Sequence, residues 1–253
     1  MKYWGGKLQI GKQISETMLD VIEDDPRSYK YYYEPFLGMG GVYRHMVEPL
    51  RDIHPEIEFL GSDINRASVN FWNELQDGWR PMSTITIKEF KNLKRSKELQ
   101  SADHAFVGYS TGFYGQYFKG NPSLVDMQSR LKSAHTLVQQ AYPSMKNVKV
   151  WQEDFFDIPR MRNTILYCDP PYMKSPVSNG LWSQSDEKFS TRAFWDRLEE
   201  LSDPKLKNLI FVSESSAPKP WRSIWEKDIT NYRTNKRREH LYVRSSELKR
   251  IYG

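Results

Sequence analysis

The residues best suited to chemistry are Asp169, Pro170, Pro171 and Tyr172, which follow the apolar run 165–168. Each proline fixes its own φ near about −65°, removes an N–H donor and restricts the residue before it. The stretch therefore presents acceptors, a carboxylate and carbonyl groups, beside an aromatic ring. A planar group that carries an NH₂ fits this surface, because its two hydrogens meet two acceptors while its ring stacks on Tyr172. The alternative is a rigid structural turn.

A glycine-rich turn lies earlier in the chain. Residues 33–41 read YEPFLGMGG, which indicates a strand, a turn that a ligand can approach closely, and then a helix. The turn is not a dinucleotide fingerprint, since Tyr43 occupies the third glycine position. Asp63 follows after about 20 residues, the spacing at which an acid accepts bonds from ribose hydroxyls. Taken alone, a structural turn and a helix-capping aspartate explain these two features equally well.

Two further stretches carry candidate binding groups. Asp154 and Phe155 follow a third predicted strand, where the acid could bond an adenine amino group and the ring could pack on its face. Asp157 is a weaker candidate for the same contact. Residues 3–7 read YWGGK, which places two aromatic rings and two glycines before a lysine.

These five stretches, in this order, resemble the adenine-specific DNA methyltransferases of the Dam type, which use S-adenosylmethionine. That family opens with K-W-A-G-G-K, where this chain has KYWGGK, and continues with E-P-F-x-G-x-G, D-I-N, D-F and D-P-P-Y, all present here. The resemblance covers roughly residues 1–75 and 145–253. One departure is that Tyr3 takes the position of the family's Trp, and Trp4 that of its Ala. A Tyr can still stack, so we expect a weaker contact rather than loss of function.

The resemblance implies a role for each matching residue. Asp63 would bind the cofactor's ribose, and Asp154 with Phe155 its adenine. The full set expected at the cofactor is Tyr3, Trp4, Lys7, Phe36, Gly38, Gly40, Asp63, Asp154, Phe155 and Asp169.

The residues expected to hold the target adenine are Asp169, Pro170, Pro171 and Tyr172. Acceptors at the first two raise the nucleophilicity of the amine for in-line attack on a sulfonium methyl, without a covalent enzyme intermediate. A base inside a duplex is out of reach, so it must be flipped out. We expect no metal.

The elements that must position these residues alternate as in a doubly wound α/β fold. We therefore expect a Rossmann-like methyltransferase sheet with helices on both faces, and Asn65 as the cap of the third helix. The apolar patterns predict helices over 8–22, 42–53, 66–75 and 191–201. They predict strands over 29–36, 58–64, 148–152, 163–169 and 208–214, and a final antiparallel strand over 237–246.

About 80 residues separate the second and third strands, far more than a crossover needs. We expect a catalytic domain formed by 1–77 and 143–253, with a mostly helical target-recognition domain inserted at 78–142. A basic stretch at 88–97 and an aromatic, glycine-rich stretch at 108–121 suit phosphates and bases. The predicted DNA-binding residues are Lys88, Lys91, Lys94, Arg95, Tyr109, Tyr114 and Lys119.

Two alternatives stay open for these stretches, a solvated helix face and a small aromatic core. The basic tail is equally open between phosphate contact and a solvated strand end; its residues are Arg233, Lys236, Arg237 and Arg238.

Composition suits one large α/β domain with an insertion: 253 residues, 38% hydrophobic and 27% charged. The net charge of +5 permits a polyanionic partner without demanding one. No apolar run approaches the roughly 18 residues of a membrane span, and the first residues lack a signal-peptide core. The single cysteine, Cys168, excludes an internal disulfide and is expected to be an inert core thiol of an intracellular protein.

The sequence thus predicts a site-specific adenine methyltransferase whose partner is double-stranded DNA. Any restriction endonuclease working with it would be a separate chain, since no nuclease motif is present. The open alternatives are the same chemistry on cytosine N4, on RNA adenine or on a glutamine side chain, and a non-catalytic nucleic-acid-binding relative. Glutamine methyltransferases typically carry Asn in place of Asp169, which argues against that option. The recognition sequence and the oligomeric state are not determined by these motifs.

Overall fold

The computed structural model describes residues 7–96, 101–112, 117–118, 120–171, 189–230 and 236–253. Its helices are α1 Gly11–Glu23, α2 Tyr43–Ile53, α3 Arg66–Gln76, α4 Ile87–Arg95, α5 Ala102–Thr111, α6 Leu124–Met145, α7 Thr191–Leu201 and α8 Ser245–Tyr252. Its strands are β1 Tyr31–Glu34, β2 Glu58–Asp63, β3 Lys149–Gln152, β4 Thr164–Cys168, β5 Leu209–Glu214, β6 Trp221–Thr230 and β7 Lys236–Arg244.

The strands form one sheet in the order β3-β2-β1-β4-β5-β7-β6. The first five neighbours are parallel, while β7 runs antiparallel to both β5 and β6. This confirms the predicted doubly wound sheet and the antiparallel pairing predicted for the final strand, which is β7. All five parallel strands end at one edge of the sheet, here termed the carboxyl edge, where ligands bind in open α/β folds.

Alternate residues of each strand face opposite cores, as the period of two requires. On one face Tyr32, Tyr167 and Phe211 pack with α1, α2, α3 and the inserted helices. On the other face Tyr33, Leu166 and Val212 pack against α7. Helices therefore cover both faces of the sheet, as predicted.

The predicted elements differ from the observed ones mainly at their ends. The first helix begins at Gly11 rather than Leu8, because residues 8–10 form a turn in which the amides of Ile10 and Gly11 donate to the Lys7 carbonyl. The first strand ends at Glu34, before Pro35, which has no N–H for the ladder. The cap at Asn65 is confirmed, since its side chain accepts from the Ala67 amide.

The inserted region is helical in its described parts, with α4, α5 and α6. Its predicted end at 142 falls within α6, which continues to Met145, and the domain boundary stays a prediction. Phe106 and Leu131 from this region share one core with Ile14 and Met46 of α1 and α2. The insertion thus packs directly on the helices of the sheet.

Among the helices in the described ranges, none is both long and apolar enough to cross a bilayer.

Candidate active site

The carboxyl edge brings together the motif residues that lie far apart in sequence. Gly61 of β2 and Leu166 of β4 pair with consecutive residues of β1, so the three strands end side by side. The glycine turn leaves β1, Asp63 ends β2, and Asp169 follows β4. Asp154 follows β3, the next strand along.

The glycine turn has a backbone that only glycine adopts readily. Gly38 and Gly40 have φ values of 48° and 62°, both in the left-handed region. The Trp72 indole donates to the Gly38 carbonyl at 2.9 Å, and a Cβ on Gly40 would lie 3.4 Å from the same ring. Helix α3 therefore sets the shape of the turn through one buried tryptophan.

Asp63 ties this turn to the start of α3. Its carboxylate accepts from the Gly38 amide at 2.8 Å through Oδ2 and from the Asn65 amide at 2.8 Å through Oδ1. The side chain is buried, and burial raises the pKa of Asp63 to about 6 although both amide bonds act to lower it. Each oxygen retains a lone pair after these bonds, so the group can still accept from a ligand hydroxyl.

Asp169 lies against a cation that comes from the start of the described chain. The Lys7 ammonium is 2.5 Å from Asp169 Oδ1 and 3.1 Å from Glu239 Oε1 on β7. Lys7 and Glu239 are buried, and Asp169 is 15% exposed. Lys7, which the resemblance assigns to the cofactor, is therefore in direct contact with the residue assigned to the target base.

A second carboxyl group, that of Glu34, is buried beside Asp169. It accepts from the Tyr32 hydroxyl at 2.6 Å. Burial raises the pKa of Glu34 well above its usual value, and the charge of Asp169 acts in the same direction. Asp169, at 15% exposure, is therefore the more accessible of the two carboxyl groups at this point of the edge.

Asp154 and Phe155 both have partners within the protein. The Asp154 carboxylate accepts from the Phe156 amide at 3.0 Å and caps a single 3-10 turn, Phe155–Asp157. The Phe155 ring is 2% exposed and stacks on Phe36 with centroids 5.0 Å apart. Aromatic rings of the protein cover Phe155 in this arrangement, and its packing on an adenine face stays a prediction.

Sequence reasoning missed three acidic residues at this edge. Glu34 stands inside the motif that revealed the turn, and Glu239 is the one acid in the basic stretch KRREHLYVR. Glu153 accepts from the Trp151 indole at 2.9 Å and from the Tyr33 hydroxyl at 3.1 Å, beside the Asp63 carbonyl. Glu239 stands at a position of β7 that faces the protein interior, and an acid at such a position indicates a buried partner.

The predicted DNA-binding residues fall into different settings. Three are exposed on α4 and are here termed the α4 basic face: Lys88, Lys91 and Arg95. Lys94 instead donates to the Gly120 carbonyl at 2.6 Å and to Asn121 at 3.0 Å, so it holds a neighbouring segment.

Tyr109 is buried in the inserted region, and its contact with DNA stays a prediction. Its side chain is 1% exposed and its hydroxyl bonds with Asn65 and Ser68 on the cap and first turn of α3. Arg238 of the tail is paired with Asp228 at 2.9 Å, as a solvated strand end would be.

Other predicted site residues lie outside the described ranges: Tyr3, Trp4, Tyr114, Lys119, Tyr172 and Arg233. Lys236 and Arg237 belong to β7.

Comparisons with known proteins bear on the interpretation of the motifs. The rRNA methyltransferase aviRa from Streptomyces viridochromogenes is 12% identical, with a TM-score of 0.40 and coverage of 95% of this chain and 87% of that one. The protein yhhF from Escherichia coli is 13% identical, with a TM-score of 0.40 and coverage of 92% and 85%. Similarities this distant do not bear on substrate. No curated protein sequence matches the chain. Residues 3–113 match the family of D12 class N6 adenine-specific DNA methyltransferases, which confirms the resemblance in that part of the chain.

Proposed function

We propose that this chain transfers the methyl group of S-adenosylmethionine to the N6 amine of adenine in a short motif of double-stranded DNA. One observation carries the proposal. The sequence Asp169-Pro170-Pro171 stands at the carboxyl end of β4, next to the glycine turn that leaves the adjacent strand β1.

The residues present fit the cofactor. Gly38 and Gly40 give a turn without side chains, and Asp63 beside it retains lone pairs for ribose hydroxyls. Asp154 is half-buried one strand further along, where it would face the adenine. When bound, the cofactor supplies a methyl group on a positively charged sulfur.

Asp169 and the Pro170 carbonyl supply the acceptors for the target amine. The amine lone pair is delocalised into the adenine ring, so two acceptors that draw its hydrogens favour a pyramidal, more nucleophilic nitrogen. Positive charge develops on that nitrogen as the new N–C bond forms, and the Asp169 carboxylate stabilises it. The bond between the methyl group and sulfur would break as the N–C bond forms, leaving a neutral thioether, and the methylated amine would pass one proton to solvent.

The partner side of the proposal depends on charge and access. The α4 basic face is exposed and suits phosphate contact. A base must leave the duplex to reach Asp169, since the amine is otherwise paired and stacked. Tyr172 remains the predicted stacking partner for the flipped base.

The test is transfer of labelled methyl from S-adenosylmethionine to unmethylated duplex DNA, with sequencing of the modified bases. Methyl on adenine N6 at one motif is the expected result. Asp169→Ala should lower the rate by about 10²-fold or more, because it removes the group that meets the developing charge. Asp196→Ala, at an exposed acid on α7, is the matched control and should retain full activity.

Other outcomes would redirect the proposal. Methyl found on cytosine N4 or on RNA would change the substrate while keeping the chemistry. Protein that binds DNA and the cofactor but transfers no methyl group to any of these would indicate a non-catalytic relative.

A further inference from the structure

The contact between Lys7 and Asp169 presents a conflict for the reaction. The ammonium sits 2.5 Å from Oδ1, one of the two oxygens to which the target amine could donate. A lysine cation at that distance also opposes the positive charge that develops on the amine. The proposed transfer therefore needs something that counters Lys7 while the base is bound.

Glu239 is placed to attract the Lys7 ammonium away from Asp169. Its Oε1 lies 3.1 Å from the same ammonium, and both side chains are buried, so water screens their attraction little. Glu239 comes from β7, which pairs with β5 next to β4, so the sheet itself fixes its distance from Asp169. Lysine has three donors on a flexible stem and can move between two carboxylates while staying paired.

We propose that Glu239 is a positioning residue for methyl transfer, which draws Lys7 away from Asp169 when the target amine binds. In the free protein Lys7 bridges both carboxylates. With the amine bound, Lys7 stays on Glu239 and the negative charge of Asp169 becomes available to the reacting nitrogen. This inference rests on the proposed function.

The alternative is that the same ion pairs only fasten the N-terminal segment to β7. The pH dependence of the rate separates the two roles, because a fastening role affects stability without changing when Asp169 ionises. In the described parts of the chain, the titratable side chains around Asp169 are Lys7, Glu34, Tyr167, Cys168 and Glu239. Among these, Lys7 and Glu239 can be changed without touching the strands that carry Asp169.

The experiment measures single-turnover methyl transfer to duplex DNA against pH for the full chain, Glu239→Gln, Lys7→Met and the double variant. Glu239→Gln leaves Lys7 on Asp169, so the rate should fall about tenfold with cofactor affinity within about twofold of wild type. Lys7→Met removes the cation between two carboxylates. The acidic limb of the pH–rate profile, where the rate falls at low pH, should therefore move up by about one pH unit or more. In the double variant one carboxylate is gone as well, so the limb should move back toward wild type.

The matched control is Glu58→Gln, which breaks an exposed lysine–carboxylate pair with Lys149 at the opposite end of β2. It should change neither the rate nor the acidic limb. If Lys7→Met fails to fold, Glu239→Gln alone decides, because it is nearly isosteric: its lowered rate must come with an acidic limb shifted to lower pH.

Three results would count against the inference. If the wild type is active and every variant has the same acidic limb of the pH–rate profile as the wild type, this inference is refuted while the proposed function stands. A fold reduction of the rate in the double variant equal to the product of the two single-variant fold reductions would do the same. Wild-type protein that transfers no methyl group to DNA would refute the proposed function, and this inference with it.

Discussion

Asp63 makes folding stability depend on pH in a direction opposite to most carboxylates. Its pKa is about 6 in the folded protein because it is buried, whereas an unfolded Asp titrates near 3.8. The folded state therefore holds a proton between these values that the unfolded state releases. The free energy of unfolding from this group is highest at low pH and falls as the pH rises toward 6.

The size of the effect follows from the difference of about two pKa units. At about 1.4 kcal/mol per unit, the contribution of Asp63 changes by about 3 kcal/mol between about pH 3 and about pH 8. Asp63→Asn is nearly isosteric and does not titrate. Because every other group is common to both proteins, the difference in unfolding free energy between wild type and variant isolates Asp63.

The assay is urea-induced unfolding of both proteins at four or so pH values across that range. We expect the stability of the wild type to fall by about 3 kcal/mol relative to the variant as the pH rises. A difference that stays flat would refute the argument, since it would mean that Asp63 titrates at its ordinary value despite its burial. Affinity for S-adenosylmethionine, measured on the same samples, should fall in the variant, because the carboxylate proposed to accept from the ribose is gone.

Three further predictions concern the frame of the site and its partner. Trp72→Phe removes the donor to Gly38 and should weaken cofactor binding by about fivefold, or about 1 kcal/mol. The control is Trp79→Phe, which removes an indole hydrogen bond to Asp103 in the insertion and should leave cofactor affinity unchanged. Equal cofactor affinities of the two variants by titration would contradict this. Asp25→Asn should cost about 3–5 kcal/mol at neutral pH, since the fully buried carboxylate bonds to Arg27 and Arg250. Although burial opposes it, these bonds hold the pKa of Asp25 far below its usual value, so the cost should shrink in urea unfolding below about pH 4; a cost unchanged with pH would count against the role. Reversing the charges of the α4 basic face should weaken DNA binding. The magnitude of the slope of log affinity against log salt concentration should fall by about 0.9 for each phosphate that the face no longer neutralises. An unchanged slope would mean that DNA binds at another surface.

Much of the sheet could be predicted because its central strands are short apolar runs that end in chemically distinctive residues. The strand β6 was missed for a physical reason. It is an edge strand with charged residues, and a bulge between Ser223 and Trp225 breaks the alternation that would have revealed it. Helix α8 was missed as well; Arg250 within it is paired with the distant Asp25.

The site was predictable only in part. Motif order placed Asp63 and Asp169 at one edge, since parallel strands end together. The partner of Lys7 could not be predicted, because Glu239 approaches only through the position of β7 in the sheet. The setting of the aromatic residues in the insertion could not be predicted for a similar reason. Composition suggested base stacking for Tyr109, whereas packing against α3 decided its burial.

The order of the strands has a consequence for how the protein forms during synthesis. The last strand made, β7, lies inside the sheet between β5 and β6. Until residues 236–244 leave the ribosome, one side of β5 has unpaired backbone groups and β6 has no place in the sheet. An open edge of that kind invites pairing with other chains. Glu239, which pairs with Lys7, also lies on β7. The ion pairs around Asp169 therefore form only after β7 is made, and a chain that ends before β7 would be aggregation-prone as well as inactive.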